Sequence, residues 1–253
     1  MRWFRCSTHS APPTATHLQG RSRADDPTTP RSGSSRSPAR GRPPLPPEEI
    51  FAEALALLAE GGVDGLGMRA LARRLGSSTS TLYRQFPGGK DELCDRLAEQ
   101  VMARIVTALG TPDDAAEWSA VVEQSAVVAF DVLRGLPHSA ELFAGQVEFG
   151  PMGLVRYEAS LSLLLACGLS PTAAAAADHA LARLIVGYAL QSARDEAPGR
   201  ESVAAYYRRL DPTRFPSVAS VRAALPEDLR AEFVFALQTF MVGLRQLVAD
   251  ARA

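Results

Sequence analysis

Apolar positions recur along this chain at three- and four-residue steps, with no sustained two-residue alternation, so the pattern predicts helices and no strand. A first helix begins near Pro47, where proline suits the opening turn and Glu48 and Glu49 suit the positive helix end. It places Ile50, Phe51, Ala54, Leu55 and Leu58 on one buried stripe and ends at Gly61 and Gly62. A second carries Met68, Leu71, Ala72 and Leu75 on one face and stops at Gly76. Ser77 and Ser78 can cap a third, which runs through Thr79, Ser80, Thr81, Leu82, Tyr83, Arg84 and Gln85 to Phe86. After the turn PGGK, a long helix is expected from about Asp91 to Leu109. Beyond Asp113 the spacing predicts helices near 114–134, 138–145, 152–167, 171–195 and 227–251, with a short irregular set at 201–224. Ser170 and Pro171 read as a cap followed by an N-terminal proline. Residues 1–44 lack any such period, and their Ser, Thr, Pro, Gly and Arg content predicts a disordered basic tail. That tail is either an arm for phosphates or a passive extension.

Composition narrows the function. An apolar share of 46% is enough for a buried core, whereas a net charge of -1 does not favour a polyanion by bulk attraction. Nucleic-acid affinity therefore needs a local patch. From Arg69 to Lys90 the charged residues are Arg69, Arg73, Arg74, Arg84 and Lys90, with no acid among them. A short, hydroxyl-rich, cationic helix after a glycine turn is what reading a major groove requires. Cys6, Cys94 and Cys167 are few and far apart, which fits a reducing cytoplasm better than a disulfide framework or a zinc site. No uninterrupted apolar run approaches the ~20 residues of a membrane span, so no membrane partner is expected.

The segments EEIFAEALALLAEGG, MRALARRLG, STLYRQF and KDEL together resemble the DNA-binding domain of the TetR family of bacterial transcriptional regulators. The later run LDPTRFPSVASV, followed by EFVFALQTFMVGLRQLV, looks like the C-terminal domain of the tetracycline-repressor class. The resemblance implies an all-α chain: a three-helix DNA-binding domain with a helix-turn-helix at 45–105 and a helical ligand-binding and dimerisation domain at 106–253. It implies DNA contacts from Arg69 and from the reading helix, whose polar residues are Ser78, Thr79, Ser80, Thr81, Tyr83, Arg84 and Gln85, with Lys90 on a phosphate. Leu82 and Phe86 belong to the core on this reading. Two departures stand out: Ser77 occupies a place where a buried Val is common, and the turn FPGGKDEL is one residue longer than is usual.

The second half shows no catalytic constellation; His138 and His179 stand apart from any partner at a motif spacing, and no enzyme activity or cofactor is expected. Tetracycline-binding members hold magnesium partly through a histidine in the region matching 141–158, and here that region has none, so no metal is expected. Trp118, Phe130, Phe143, Phe149, Tyr157 and Tyr188 are candidates to line a small-molecule pocket, each also eligible as plain core. The helices at 171–195 and 227–251 are expected to form a homodimer face, with Ala177, Ala180 and Gly187 allowing close approach and Phe233, Leu237, Phe240, Met241, Leu244 and Leu247 as the apolar stripe. The expected function is a ligand-responsive repressor of a palindromic operator. Its rivals are an activator of the same fold and a helical ligand-binding or enzyme module with a vestigial reader.

Overall fold

The structure, a computed structural model, describes residues 44–110, 117–144, 150–195, 203–221 and 228–253. The expectations for the tail at 1–43 and for a helix start at 114 lie outside them. Among the described residues there is no strand. The helices are α1 (Pro47–Gly65), α2 (Met68–Arg74), α3 (Thr79–Gln85), α4 (Gly89–Leu109), α5 (Trp118–Arg134), α6 (Pro151–Ala166), α7 (Pro171–Asp195), α8 (Val203–Arg208), α9 (Pro216–Val221) and α10 (Leu229–Arg252). A 3-10 turn, Ser139–Phe143, stands between α5 and α6, where the sequence predicts an ordinary helix. His138 enters it with φ 62, a left-handed conformation that an α-helix does not continue from.

Helix α1 breaks where its glycines fall. Gly61 (φ -146) and Gly62 (φ 64) leave the helical region, and a last turn then reaches Gly65. Helix α4 begins at Gly89, two residues before the expected Asp91, because the left-handed Gly89 (φ 67) lets the backbone turn straight from Phe86 into the helix.

Two apolar clusters organise the packing. Ile50, Ala54, Leu57, Leu66, Met68, Leu71, Leu82, Phe86, Leu93 and Leu97 form the first, within α1–α4. Val101, Ile105, Val122, Ala126, Phe130, Leu133, Leu164, Ala174, Ala189 and the inner face of α10 form the second. The stripe of α4 thus changes cluster between Leu97 and Val101, and Leu55 and Leu142 pack against both clusters. Between these two places in α4, Glu99 accepts the Met152 N–H at 2.6 Å and so caps the first turn of α6.

By length and composition alone α7 and α10 could cross a membrane, yet both supply the second cluster. Helix α10 turns Phe233, Leu237, Met241 and Leu244 into its own chain's core. This divides the stripe that the sequence assigns to a partner: Phe240 is half-buried and Leu247 exposed, beside Val242 and a Phe235 that is 72% exposed. Ala177 is buried and Ala180 exposed on α7. Arg156 of α6 holds the buried Asp178 of α7 through two hydrogen bonds of 3.0 and 3.1 Å, which neutralises that carboxylate.

Candidate functional site

The turn between α2 and α3 is built from its own residues. Gly76 takes φ 55, its N–H donates to Arg73 O at 3.3 Å, and Ser77 N–H donates to Ala72 O at 2.9 Å, so the last carbonyls of α2 are satisfied. Ser78 then caps α3: its Oγ accepts the Thr81 N–H at 3.2 Å and lies 2.8 Å from Ser80 Oγ and 2.9 Å from Thr81 Oγ1. Ser77 has a buried Oγ with no hydrogen-bond partner among the described residues. Leu82 and Phe86 are buried under α3, and Phe51 meets Phe86 edge-on at 6.4 Å between ring centres.

The residues expected to contact DNA differ in exposure. Ser78, Ser80, Tyr83 and Arg84 are exposed on α3 and Arg69 on α2; Thr79 and Lys90 are half-buried. Tyr83 is 50% exposed, and its ring lies over Gly89, where a β-carbon would come within 3.1 Å of Tyr83 Cε1. That glycine therefore seats the tyrosine as well as supplying the left-handed turn.

Thr81 and Gln85 have other partners. Thr81 is only 7% exposed, with its backbone and hydroxyl engaged by Ser78. The Gln85 side chain accepts the Leu45 N–H at 3.2 Å and donates to Leu45 O at 2.8 Å, stitching the chain before α1 onto the end of α3. The cations divide in the same way. Arg74 pairs with Glu53 at 3.1 Å and Glu60 at 2.8 Å, and its hydrogen bond pulls the Glu60 carboxyl below its ordinary range. Arg73, which the sequence counts as basic without giving it a role, is exposed on α2, one turn after Arg69. The Glu92 carboxylate accepts the Gly88 N–H at 2.9 Å, which holds its pKa down and fixes the start of α4. The exposed set of Arg69, Arg73, Ser80, Tyr83 and Arg84 combines guanidinium forks with hydroxyls, the groups that contact guanine edges and phosphates.

The pocket candidates have different surroundings. Phe130 is fully buried and stacks on Phe233 at 4.2 Å, with Tyr188 edge-on to Phe233 at 5.7 Å. Trp118 and Phe143 are half-buried against the same cluster. Tyr157 instead stacks on the exposed His179 at 5.7 Å, and Phe149 lies outside the described residues. His138 Nδ1 is 2.7 Å from Glu141 Oε1.

Known proteins place this geometry. Residues 50–97 match the family model for bacterial regulatory proteins, tetR family, and residues 111–248 match that for the tetracyclin repressor-like C-terminal domain. The HTH-type transcriptional repressor DrrR1 of Streptomyces coeruleorubidus is 30% identical over 229 residues, covering 86% of this chain and 84% of that protein. The tetracycline repressor protein class C of Escherichia coli is 32% identical over 154 residues, or 61% of this chain and 69% of that protein. Among solved structures, apo ActR from Streptomyces coelicolor superposes with a TM-score of 0.70 at 25% identity, over 82% of this chain and 98% of that one. ActR in complex with actinorhodin gives 0.68 at 26%, over 80% and 98%. With a capped helix-turn-helix on a helical body, and both halves matched, this chain belongs to the TetR family and is a ligand-responsive, DNA-binding transcriptional regulator with a tetracycline-repressor-like C-terminal domain.

Proposed function

We propose that the protein is a homodimeric repressor that two copies of α3 anchor to a palindromic operator and that a small apolar or amphiphilic molecule releases. The observation that carries the DNA contact is the exposure of Arg69 and Arg73 on α2 and of Ser80, Tyr83 and Arg84 on α3, in a stretch from 69 to 90 that has no acid, with Leu82 buried on the opposite side of α3. Arg69 and Arg84 suit base edges, Tyr83 and Ser80 suit phosphates, and Lys90 holds a phosphate from the start of α4. Two-fold symmetry would set the reading helices about one DNA turn apart, roughly 34–36 Å. Exposed Phe235 and Val242 on α10 and exposed Ala180 on α7, with open space around Gly187 and Gly243, support these two helices as the dimer face. The relative ActR, which has been solved with actinorhodin, supports a small-molecule effector. Release needs an effector that prefers a state fitting DNA poorly, since only differential affinity moves such an equilibrium.

The test is a selection of duplexes from a random pool, followed by gel-shift titration at several salt concentrations. A palindromic winner, bound with an affinity that falls steeply as salt rises, is the expected result. Equal, weak retention of every duplex is what a vestigial reader would give.

A further inference from the structure

The 3-10 turn Ser139–Phe143 is a wedge between the two clusters. Its Leu142 packs against both of them, so the turn has an apolar foot in each half of the molecule. Its polar edge does something more specific. Glu141 reaches across to the break in α1, where its Oε2 accepts the Val63 N–H at 2.7 Å. The carboxylate fills the space beside Gly62: a β-carbon there would lie 2.7 Å from Glu141 Oε2 and 3.1 Å from Oε1. Its other oxygen is 2.7 Å from His138 Nδ1, at the left-handed residue that opens the turn. A charged acceptor held by an amide on one side and an imidazole on the other is a directional joint, unlike apolar contact, which allows sliding.

We propose that Glu141 is the residue that sets the angle between the DNA-reading helices and the helical body, by pegging its carboxylate into the Gly61–Gly62 break of α1. The peg holds α1 at the point where its backbone is least constrained by helical hydrogen bonds. Helix α1 carries α2 and α3 through their shared core, so the angle at the peg becomes the position of each reading helix. In a dimer that position sets the distance between half-sites. Glu141 is thus a positioning residue: it touches no DNA, and its effect falls on half-site spacing and leaves base preference within each half-site alone. This rests on the dimeric, operator-reading function proposed above.

The experiment compares the wild type, Glu141→Gln and Gly62→Ala by selection from duplex pools in which two fixed half-sites are separated by a varied number of base pairs. Gly62→Ala attacks the same joint from the opposite side, since its new methyl group displaces the carboxylate and strains the left-handed backbone of the break. Glu123→Gln, which removes an ion pair with Arg245 elsewhere on the body, serves as the control. The wild type and the control should favour one spacing. Both joint variants should accept neighbouring spacings, losing about fivefold to tenfold of that discrimination while keeping the same half-site sequence. Hydrogen exchange at the Val63 amide should speed up in Glu141→Gln with the remaining amides of α1 unchanged. A wild type with no spacing preference would overturn the dimeric reading. A preference kept unchanged in Glu141→Gln would overturn the assignment of the peg alone. A Glu141→Gln protein that fails to fold would make the carboxylate a structural support and overturn the assignment equally.

Discussion

At the scale of single residues, the proposed DNA face separates exposed side chains from those already committed within the chain. Tyr83→Phe removes one exposed hydroxyl and should weaken operator binding by about 1 kcal/mol across sequences. Arg69→Ala should weaken it by about 1–3 kcal/mol and relax preference at one base position, provided the arginine reads a base. Gel-shift titration on the selected duplex measures both, and unchanged affinity in two folded variants would remove α2 and α3 from the interface. Ser77 gives a prediction of opposite sign. Its buried hydroxyl has no partner among the described residues, so Ser77→Ala should raise unfolding stability by about 1 kcal/mol in urea titration. The family resemblance marks Ser77 as a departure from a common valine, but does not show that its Oγ goes unpaired. The sequence shows Thr81 and Gln85 as polar residues on a reading helix. What turns them inward is the capping of Ser78, three residues back, and a contact with Leu45, forty residues back.

At the scale of elements, turn chemistry was legible because it is local. Gly76 and Ser78 stop one helix and start the next through bonds spanning five residues or fewer. The 3-10 turn at Ser139–Phe143 was not, because its form follows from His138's left-handed backbone and from packing against α1 and α4. Helix α4 shows how a helix start answers to pH. Hydrogen bonding from Gly88, with Arg96 behind it, holds Glu92 below its ordinary 4.5. A carboxyl whose folded pKa is depressed contributes stability above its unfolded pKa, and that contribution is lost as pH falls through the folded value. Glu92→Gln should therefore melt at a lower temperature than the wild type near neutral pH, and the two should converge under acid conditions, below about pH 4. Circular dichroism melts across that range check the sign; a gap that widens in acid would contradict it.

At the scale of the whole molecule, periodicity tells which face of a helix is apolar but not what covers it. That is why α10 misleads: Phe233, Leu237, Met241 and Leu244 meet their own chain, which leaves Phe235, Val242 and the exposed side of α7 for the proposed partner. The informative variant is accordingly Ala180→Asp and not Ala177→Asp, whose charge would enter the chain's own core. Sedimentation should find Ala180→Asp folded and largely monomeric at low micromolar concentration, with operator binding weakened at least tenfold, or about 1.4 kcal/mol. A variant that stays dimeric would move the interface elsewhere. The handover inside α4 has a practical corollary for anyone wishing to exchange specificities between relatives. Cut after Leu109, a transplanted reader brings along Val101 and Ile105, foreign parts in the recipient's interior. Cut before α4, it abandons Leu93 and Leu97, two fully buried members of the cluster on which its own helices stand. The seam for a working chimera lies in mid-helix, between Leu97 and Val101, where a tailor guided by secondary structure would never place the scissors.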